Sequence, residues 1–272
     1  MQEKERTDVL TEQAIREALA DAGMCLSLRC VDLIDSTNSC LKREALEGAV
    51  HGSVLVADHQ SAGRGRMGRS FVSPRGKGLY LSYLLRTDLP GEILVRATGM
   101  AAVAVCRAVE RVSGATPSIK WTNDLVLNGK KLCGILAETV MQGQETALII
   151  GVGVNVSHTA ADFGPEVAEI ATSLEMEGYC VPRAALAATV IEELHKLSEQ
   201  LGGDVLAWVE EYRRRCVNLG KEVRLLWTEG QERAVALDVD DAFGLVVRRL
   251  DGSVSVVRTG EVSVRGLYGY VP

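Results

Sequence analysis

The stretch KWTNDLVLNGKKLCG, residues 120–134, limits the fold of this chain more than any other segment. Asn128-Gly129 is the dipeptide favoured in a type I′ turn, because both central positions need positive φ. Apolar, strand-like residues flank it, so 119–140 is expected to form a hairpin. A hairpin is antiparallel, and this one sits among segments that read as alternating strands and helices. The combination predicts an α+β fold, a mixed β-sheet flanked by helices, rather than an all-parallel sheet.

The neighbouring strands are expected at 28–35, 53–60, 78–86 and 146–156. Helices are expected at 11–22, from Ser36-Thr37-Asn38 to about Glu47, at 93–113, at 184–201 and at 204–217. In the first helix Ile15, Ala18, Leu19 and Ala22 fall at helical spacing and Gly23 follows as a stop. The pattern changes after Gly220 to short strands with turn signals between them, Asp251-Gly252 among them. That change predicts a large domain over 1–219 and a small C-terminal β-barrel over 220–272.

Composition narrows the function classes. With 272 residues, 47% of them hydrophobic, the chain can bury a large core. A net charge of −6 argues against a generic nucleic-acid binder, so any basic site must act locally. Seven cysteines form no C-x-x-C pair and only four histidines are present, which reads as reduced thiols without a zinc centre. The apolar run 101–109 is broken by Arg107 and is too short for a bilayer. The N-terminal residues are charged, with no apolar signal core. A soluble, cytoplasmic protein without membrane contact is expected.

The basic site is QSAGRGRMGRSF, residues 60–71, where Arg64, Arg66 and Arg69 alternate with Gly63, Gly65 and Gly68. It contains a literal G-x-G-x-x-G, but a dinucleotide fingerprint needs a helix after the glycines. Here Pro74 and a strand follow, so the context fails. Glycine lets a backbone move and approach closely, and arginine supplies planar, permanently charged forks for carboxylate or phosphate. The loop therefore suits an anionic ligand that is captured and covered. A solvated basic turn is the alternative.

Three further clusters carry polar groups in apolar settings. Lys120, Asn123, Asp124 and Lys131 lie within the predicted hairpin. Lys131 could be a solvated edge residue, and Asp124 could cap a turn. Together with the arginine loop they suggest a site where lysine neutralises a carboxylate and aspartate orients a metal or that lysine. Ser36, Thr37 and Asn38 could be a helix cap or could face a neutral polar ligand. In GVGVNV (151–156) two strand glycines imply close approach by something else, with Asn155 offering an amide beside them.

DSTN, QSAGRGRMGR, KWTNDLVLNGKKLCGIL and GVGVNV, in this order and spacing, resemble the biotin protein ligases over about 32–156. The resemblance implies a class II aminoacyl-tRNA synthetase-like catalytic domain followed by an SH3-like barrel. It implies activation of biotin by MgATP to biotinyl-5′-AMP and pyrophosphate, then transfer to a lysine of a biotin carboxyl carrier protein. With about 25 residues ahead of the core, the chain resembles the ligase-only type, with no nucleic acid as partner. Its sheet edges leave room for a homodimer.

Carried onto this sequence, the resemblance assigns biotin to Ser36, Thr37, Asn38, Gln60, Arg64, Gly65, Arg66, Lys131 and Gly134. It assigns the nucleotide to Arg66, Arg69, Phe71, Lys120, Asn123, Asp124 and Asn155. Lys131, Arg66 and Asp124 would be catalytic, with Asp124 also the ligand for Mg²⁺. Two positions depart from the family pattern: Thr122 stands where proline is usual, and Phe71 where tryptophan can stack on adenine. A lipoate–protein ligase shares this chemistry but differs in the glycine-rich loop. A nucleic-acid module would show strongly salt-dependent binding, and a scaffold with a dead site would fail to bind biotin.

Overall fold

The computed structural model describes residues 8, 10–21, 24, 26–142, 145–227, 230–258 and 263–266. Seven strands make the large sheet: β1 (Ser27–Val31), β2 (Ser53–Ala57), β3 (Gly78–Thr87), β4 (Ser118–Lys120), β5 (Asp124–Leu127), β6 (Lys130–Gln142) and β7 (Glu145–Asn155). Their order is β1-β2-β3-β7-β6-β5-β4. β1 and β2 are parallel and every other pair is antiparallel, so the sheet is mixed as expected.

The helices are α1 (Glu12–Ala18), α2 (Thr37–Leu46), α3 (Gly91–Leu94), α4 (Arg96–Ser113), α5 (Pro165–Ala168), α6 (Arg183–Gln200) and α7 (Leu206–Arg215). Period-2 alternation assigns the two faces of the sheet. Val54, Val56, Leu79, Leu81, Tyr83, Ile135, Ile150 and Val152 face the main core with α4 and α6. The intervening Leu55, Leu84 and Ile149 face α2, packing on its Leu41 and Ala45. α4 can lie close because its inner surface is alanine and valine, buried from Ala97 to Val109 except at Arg107.

Several boundaries differ from the expectation for local physical reasons. The segment 119–140 is two turns, not one hairpin: residues 121–123 reverse the chain between β4 and β5. The second turn is Asn128-Gly129, with φ of 48° and 79°, as type I′ geometry requires. The helix expected at 93–113 is divided at Val95 into α3 and α4. α1 stops at Ala18, and the expected stop at Ala22-Gly23 lies outside the described residues.

Gly220, at φ 76°, leads from α7 to the second sheet. This sheet holds β8 (Glu222–Trp227), β9 (Gly230–Val239), β10 (Leu245–Arg249), β11 (Val254–Val257) and β12 (Ser263–Gly266), in the antiparallel order β11-β10-β9-β8-β12. Its apolar face joins the main core. The turn before β10 supplies the wedge: the Phe243 ring lies edge-on to Tyr212 of α7, centroids 5.3 Å apart. A Cβ on Gly99 of α4 would stand 2.2 Å from that ring, so only glycine leaves the space it occupies. The Trp121 indole N–H donates to the Phe243 carbonyl at 2.8 Å. The small sheet thereby supports the turn that links Lys120 to Asn123.

Candidate active site

Strand register builds the floor of one cleft. Reading across the sheet, Lys120 pairs with Asp124, Asp124 with Gly134, Gly134 with Gly153, and Gly153 with Tyr80. The next row on the same face runs Leu136, Gly151, Ser82. Charged groups stand at one end of the first row, and glycines keep its middle low. Parity alone would turn Lys131 away from Gly134, because they lie three positions apart on the strand. A bulge between Leu125 and Val126 adds a residue to β6 and brings Lys131 onto the cleft side.

The arginine loop covers this floor. Met67 and Gly68, at φ 55° and 72°, reverse the chain, and Gly65 N–H donates to the Arg69 carbonyl at 2.7 Å. Phe71 N–H donates to the Gly63 carbonyl at 2.9 Å. The Phe71 ring then lies on the glycines: a Cβ at Gly153 would sit 2.6 Å from it, and one at Gly134 3.3 Å. Glycines 19 residues apart in sequence thus meet beneath one aromatic ring.

Five cations, Arg64, Arg66, Arg69, Lys120 and Lys131, line the cleft against one carboxylate, Asp124. Lys131 Nζ donates to Asp124 Oδ1 at 2.6 Å, and Lys120 Nζ lies 3.9 Å from Oδ2. Asn123 donates to Asp124 Oδ1 at 3.2 Å and accepts from Arg66 Nη1 at 2.7 Å. Arg66 Nη2 is buried without a hydrogen-bond partner among the described residues. Burial pulls the Arg66 guanidinium below its ordinary value, with the Asp124 charge opposing the shift. A buried cationic donor with no acceptor is the arrangement an anionic ligand would complete.

The opposite end of the cleft carries neutral polar groups, with Arg64 beside them. Ser36 caps α2, its hydroxyl accepting from Ser39 N–H. Gln60 Oε1 accepts from the Thr37 backbone N–H at 2.9 Å and from its hydroxyl at 3.2 Å. Gln60 Nε2 donates to Ser73 Oγ at 2.9 Å. Ser82 Oγ reaches both Thr37 Oγ1 at 2.8 Å and Asn38 Oδ1 at 2.6 Å. A Cβ at Gly151 would meet Asn38 Oδ1 at 2.1 Å, which accounts for that glycine.

Of the residues singled out in the sequence, Ser36, Thr37, Asn38, Gln60, Arg64, Gly65, Arg66, Arg69, Phe71, Lys120, Asn123, Asp124, Lys131 and Gly134 line this cleft. Asn155 does not. It is buried, and its amide donates to the Thr172 carbonyl at 2.9 Å, tying the end of β7 to the segment after α5. Met67, Leu81, Trp121, Ile135, Leu136 and Val152 are lining residues not singled out beforehand. Leu136 follows Gly134 by two on β6, so strand parity was the available signal for it. No cluster of three histidine, cysteine or acidic side chains suited to a metal occurs among the described residues.

A polar, glycine-floored cleft under a basic loop, beside α2 on one face of a mixed sheet, could hold a small ligand joined to a polyanion. A sequence profile described as the biotin/lipoate A/B protein ligase family matches residues 30–155. A bifunctional ligase/repressor BirA of Bacillus spizizenii is 35% identical over 252 residues, covering 89% of this chain and 76% of that protein. A biotin–[acetyl-CoA-carboxylase] ligase of Mycobacterium tuberculosis is 33% identical over 263 residues, covering 93% and 95%. The solved biotin protein ligase of Aquifex aeolicus, in complex with biotin and ATP, superposes with a TM-score of 0.73. It is 29% identical and the match covers 88% of this chain and 99% of that one. The chain belongs to the biotin protein ligase family and is a ligase enzyme.

Proposed function

We propose that the chain activates biotin with MgATP to biotinyl-5′-AMP and then transfers the biotinyl group to a lysine of a biotin carboxyl carrier protein. The observation that carries this reading is the division of the cleft. Neutral donors and acceptors on Thr37, Asn38 and Gln60 suit a ureido ring, and the cations suit a carboxylate meeting a triphosphate.

A biotin carboxylate oxygen attacks the α-phosphorus, the P–O bond to pyrophosphate breaks, and a mixed anhydride forms. Two anions at ~3–4 Å repel, more so away from water. Lys131 offsets that repulsion by exchanging its Asp124 partner for the substrate carboxylate. The unpaired Nη2 of Arg66 meets the phosphate as charge develops on it. In the second step the acceptor amine attacks the anhydride carbonyl, AMP leaves, and the amine loses a proton as the amide forms. The loop excludes water, which would hydrolyse the anhydride.

Asp124 is the carboxylate that fits Mg²⁺, since this ion is held by one or two carboxylates plus substrate phosphates. When bound, the ion neutralises phosphate charge. Biotin is assigned to Ser36, Thr37, Asn38, Gln60, Arg64 and Gly134, and the nucleotide to Arg69, Phe71, Lys120, Asn123 and Asp124. Arg66 and Lys131 would serve both. Asn155 would act by holding the 170–174 segment. We read residues 1–219 as the class II synthetase-like catalytic domain and 220–272 as the SH3-like one. The cysteines described are free thiols, which supports a reducing, cytoplasmic setting.

Lys131→Ala should keep the fold and lose adenylate formation at least ~100-fold. Mass spectrometry of biotinyl-AMP in single-turnover mixtures reads this directly. Adenylate formed by the variant at the wild-type rate would overturn the assignment.

A further inference from the structure

Glu138 stands on β6 two and four residues beyond Leu136 and Gly134, so strand parity turns it to the cleft face. It does not line the cleft. Its carboxylate instead gathers three donors from two elements, Asn38 and Lys42 of α2 and Arg64 of the arginine loop. Oε2 accepts from Asn38 Nδ2 of α2 and from Arg64 Nη1 of the arginine loop, both at 3.1 Å. Oε1 accepts from Lys42 Nζ at 2.9 Å. The side chain is 15% exposed, so these contacts are partly shielded from water. Burial alone would raise this carboxyl, but the bonds from Lys42 and Asn38 and the nearby charges of Lys42 and Arg64 hold it below the usual carboxylate range.

Two consequences follow from an ionised carboxylate in this place. It can only accept hydrogen bonds, so it must face the amino end of the Asn38 amide and not its oxygen. Asn38 Nδ2 also donates to the Leu136 carbonyl at 3.1 Å, and Asn38 Oδ1 accepts from Ser82 Oγ. Turning the amide over would set oxygen against carboxylate and carbonyl at once. The second consequence concerns the loop. Arg64 is 43% exposed and would otherwise extend into solvent, yet it is drawn back onto β6 by Glu138. Arg66, two residues on, is held by Asn123 at the far side of the cleft. The loop is therefore pinned at both sides of the site.

We propose that Glu138 is a positioning residue that fixes the amide orientation of Asn38 and latches the arginine loop closed through Arg64. The latch is independent of which ligand binds; its effect on biotin rests on the function proposed above.

The test uses Glu138→Gln, which keeps shape and removes charge, and reads the loop in ligand-free protein. Trypsin cleaves after Arg64, Arg66 and Arg69 only when the loop opens, so the nicking rate follows the open population. Losing a half-shielded ion pair should speed nicking about fivefold, with the thermal midpoint nearly unchanged. Glutamine can also present its own amino group to Asn38, so KM for biotin should rise about tenfold while kcat stays within about twofold. Unchanged nicking with unchanged biotin KM overturns the proposal. If Glu138→Gln does not fold, Arg64→Gln releases the latch from the other side, and cleavage after Arg66 and Arg69 should accelerate; no acceleration overturns the latch. Wild-type protein that shows no turnover with biotin would sink the substrate assignment alone, since nicking still tests the latch.

Discussion

Phe243→Ala tests whether the C-terminal sheet supports the active site. The ring is 2% exposed and fills the space between Gly99, Tyr212 and Trp121. A phenylalanine buries about 200 Å², which at ~25 cal/mol/Å² gives about 5 kcal/mol, and Phe→Ala core substitutions cost about 3–5 kcal/mol. Taking about 4 kcal/mol, and a urea slope of about 3 kcal/mol/M, the unfolding midpoint should fall by about 1.3 M. The small sheet and the large one share one core, so wild type and variant should each unfold in one transition. The variant should also bind nucleotide at least about tenfold more weakly, because Trp121 and Thr122 form the turn between Lys120 and Asn123. Tyr212 holds the same turn through the Thr122 carbonyl at 3.1 Å. Urea curves followed by tryptophan fluorescence, with ATP titration in native buffer, give both readings. A midpoint shift under about 0.3 M would refute the packing argument. A full shift with nucleotide affinity unchanged would refute the link to the site.

Three further outcomes follow from the geometry. Gly153→Ala places a Cβ 2.6 Å from the Phe71 ring and should weaken nucleotide binding strongly, whereas Gly134→Ala, at 3.3 Å, should be milder; calorimetric titration of the two variants with ATP ranks them, and the reverse order would count against Phe71 lying on the floor. Arg66→Lys keeps the charge but loses the fork that spans Asn123 and the ligand, so the adenylate should escape faster; equal release of biotinyl-AMP from variant and wild type would contradict that role. His158 is buried against Phe163 and Tyr80, and burial lowers its pKa from 6.5 to about 4. The unfolded chain binds more protons between those values, so stability is full above about pH 6.5 and falls by about 3 kcal/mol as pH drops toward 4. In urea titrations at several pH values, His158→Gln should show a shallower loss than wild type, and parallel curves would exclude the histidine as its source.

Much of this fold was legible because local chemistry and burial agree. The type I′ turn at Asn128-Gly129, the apolar run of β2, buried throughout, and the small residues of α4 each point to one structure. The arginine loop was legible as a site because glycine and arginine interleave for few other reasons. Three features were not. Glu138 lies in LAETV, which reads as an ordinary strand edge; its partners Asn38 and Arg64 are 100 and 74 residues away in the chain. The bulge that turns Lys131 to the cleft depends on the pairing of β5 with β6, which a single strand does not encode. Asn155 has the parity of Gly151 and Gly153 yet spends its amide on Thr172, since the segment after α5 covers that end of β7. Long-range pairing decided each of these.

The function proposed for this cleft is the joining of biotin to AMP. The most direct measurement is pyrophosphate release from MgATP with biotin, run beside lipoate. Release is expected with biotin, little with lipoate, and at least ~100-fold less with Lys131→Ala. Release with lipoate alone, or with neither acid, would contradict it.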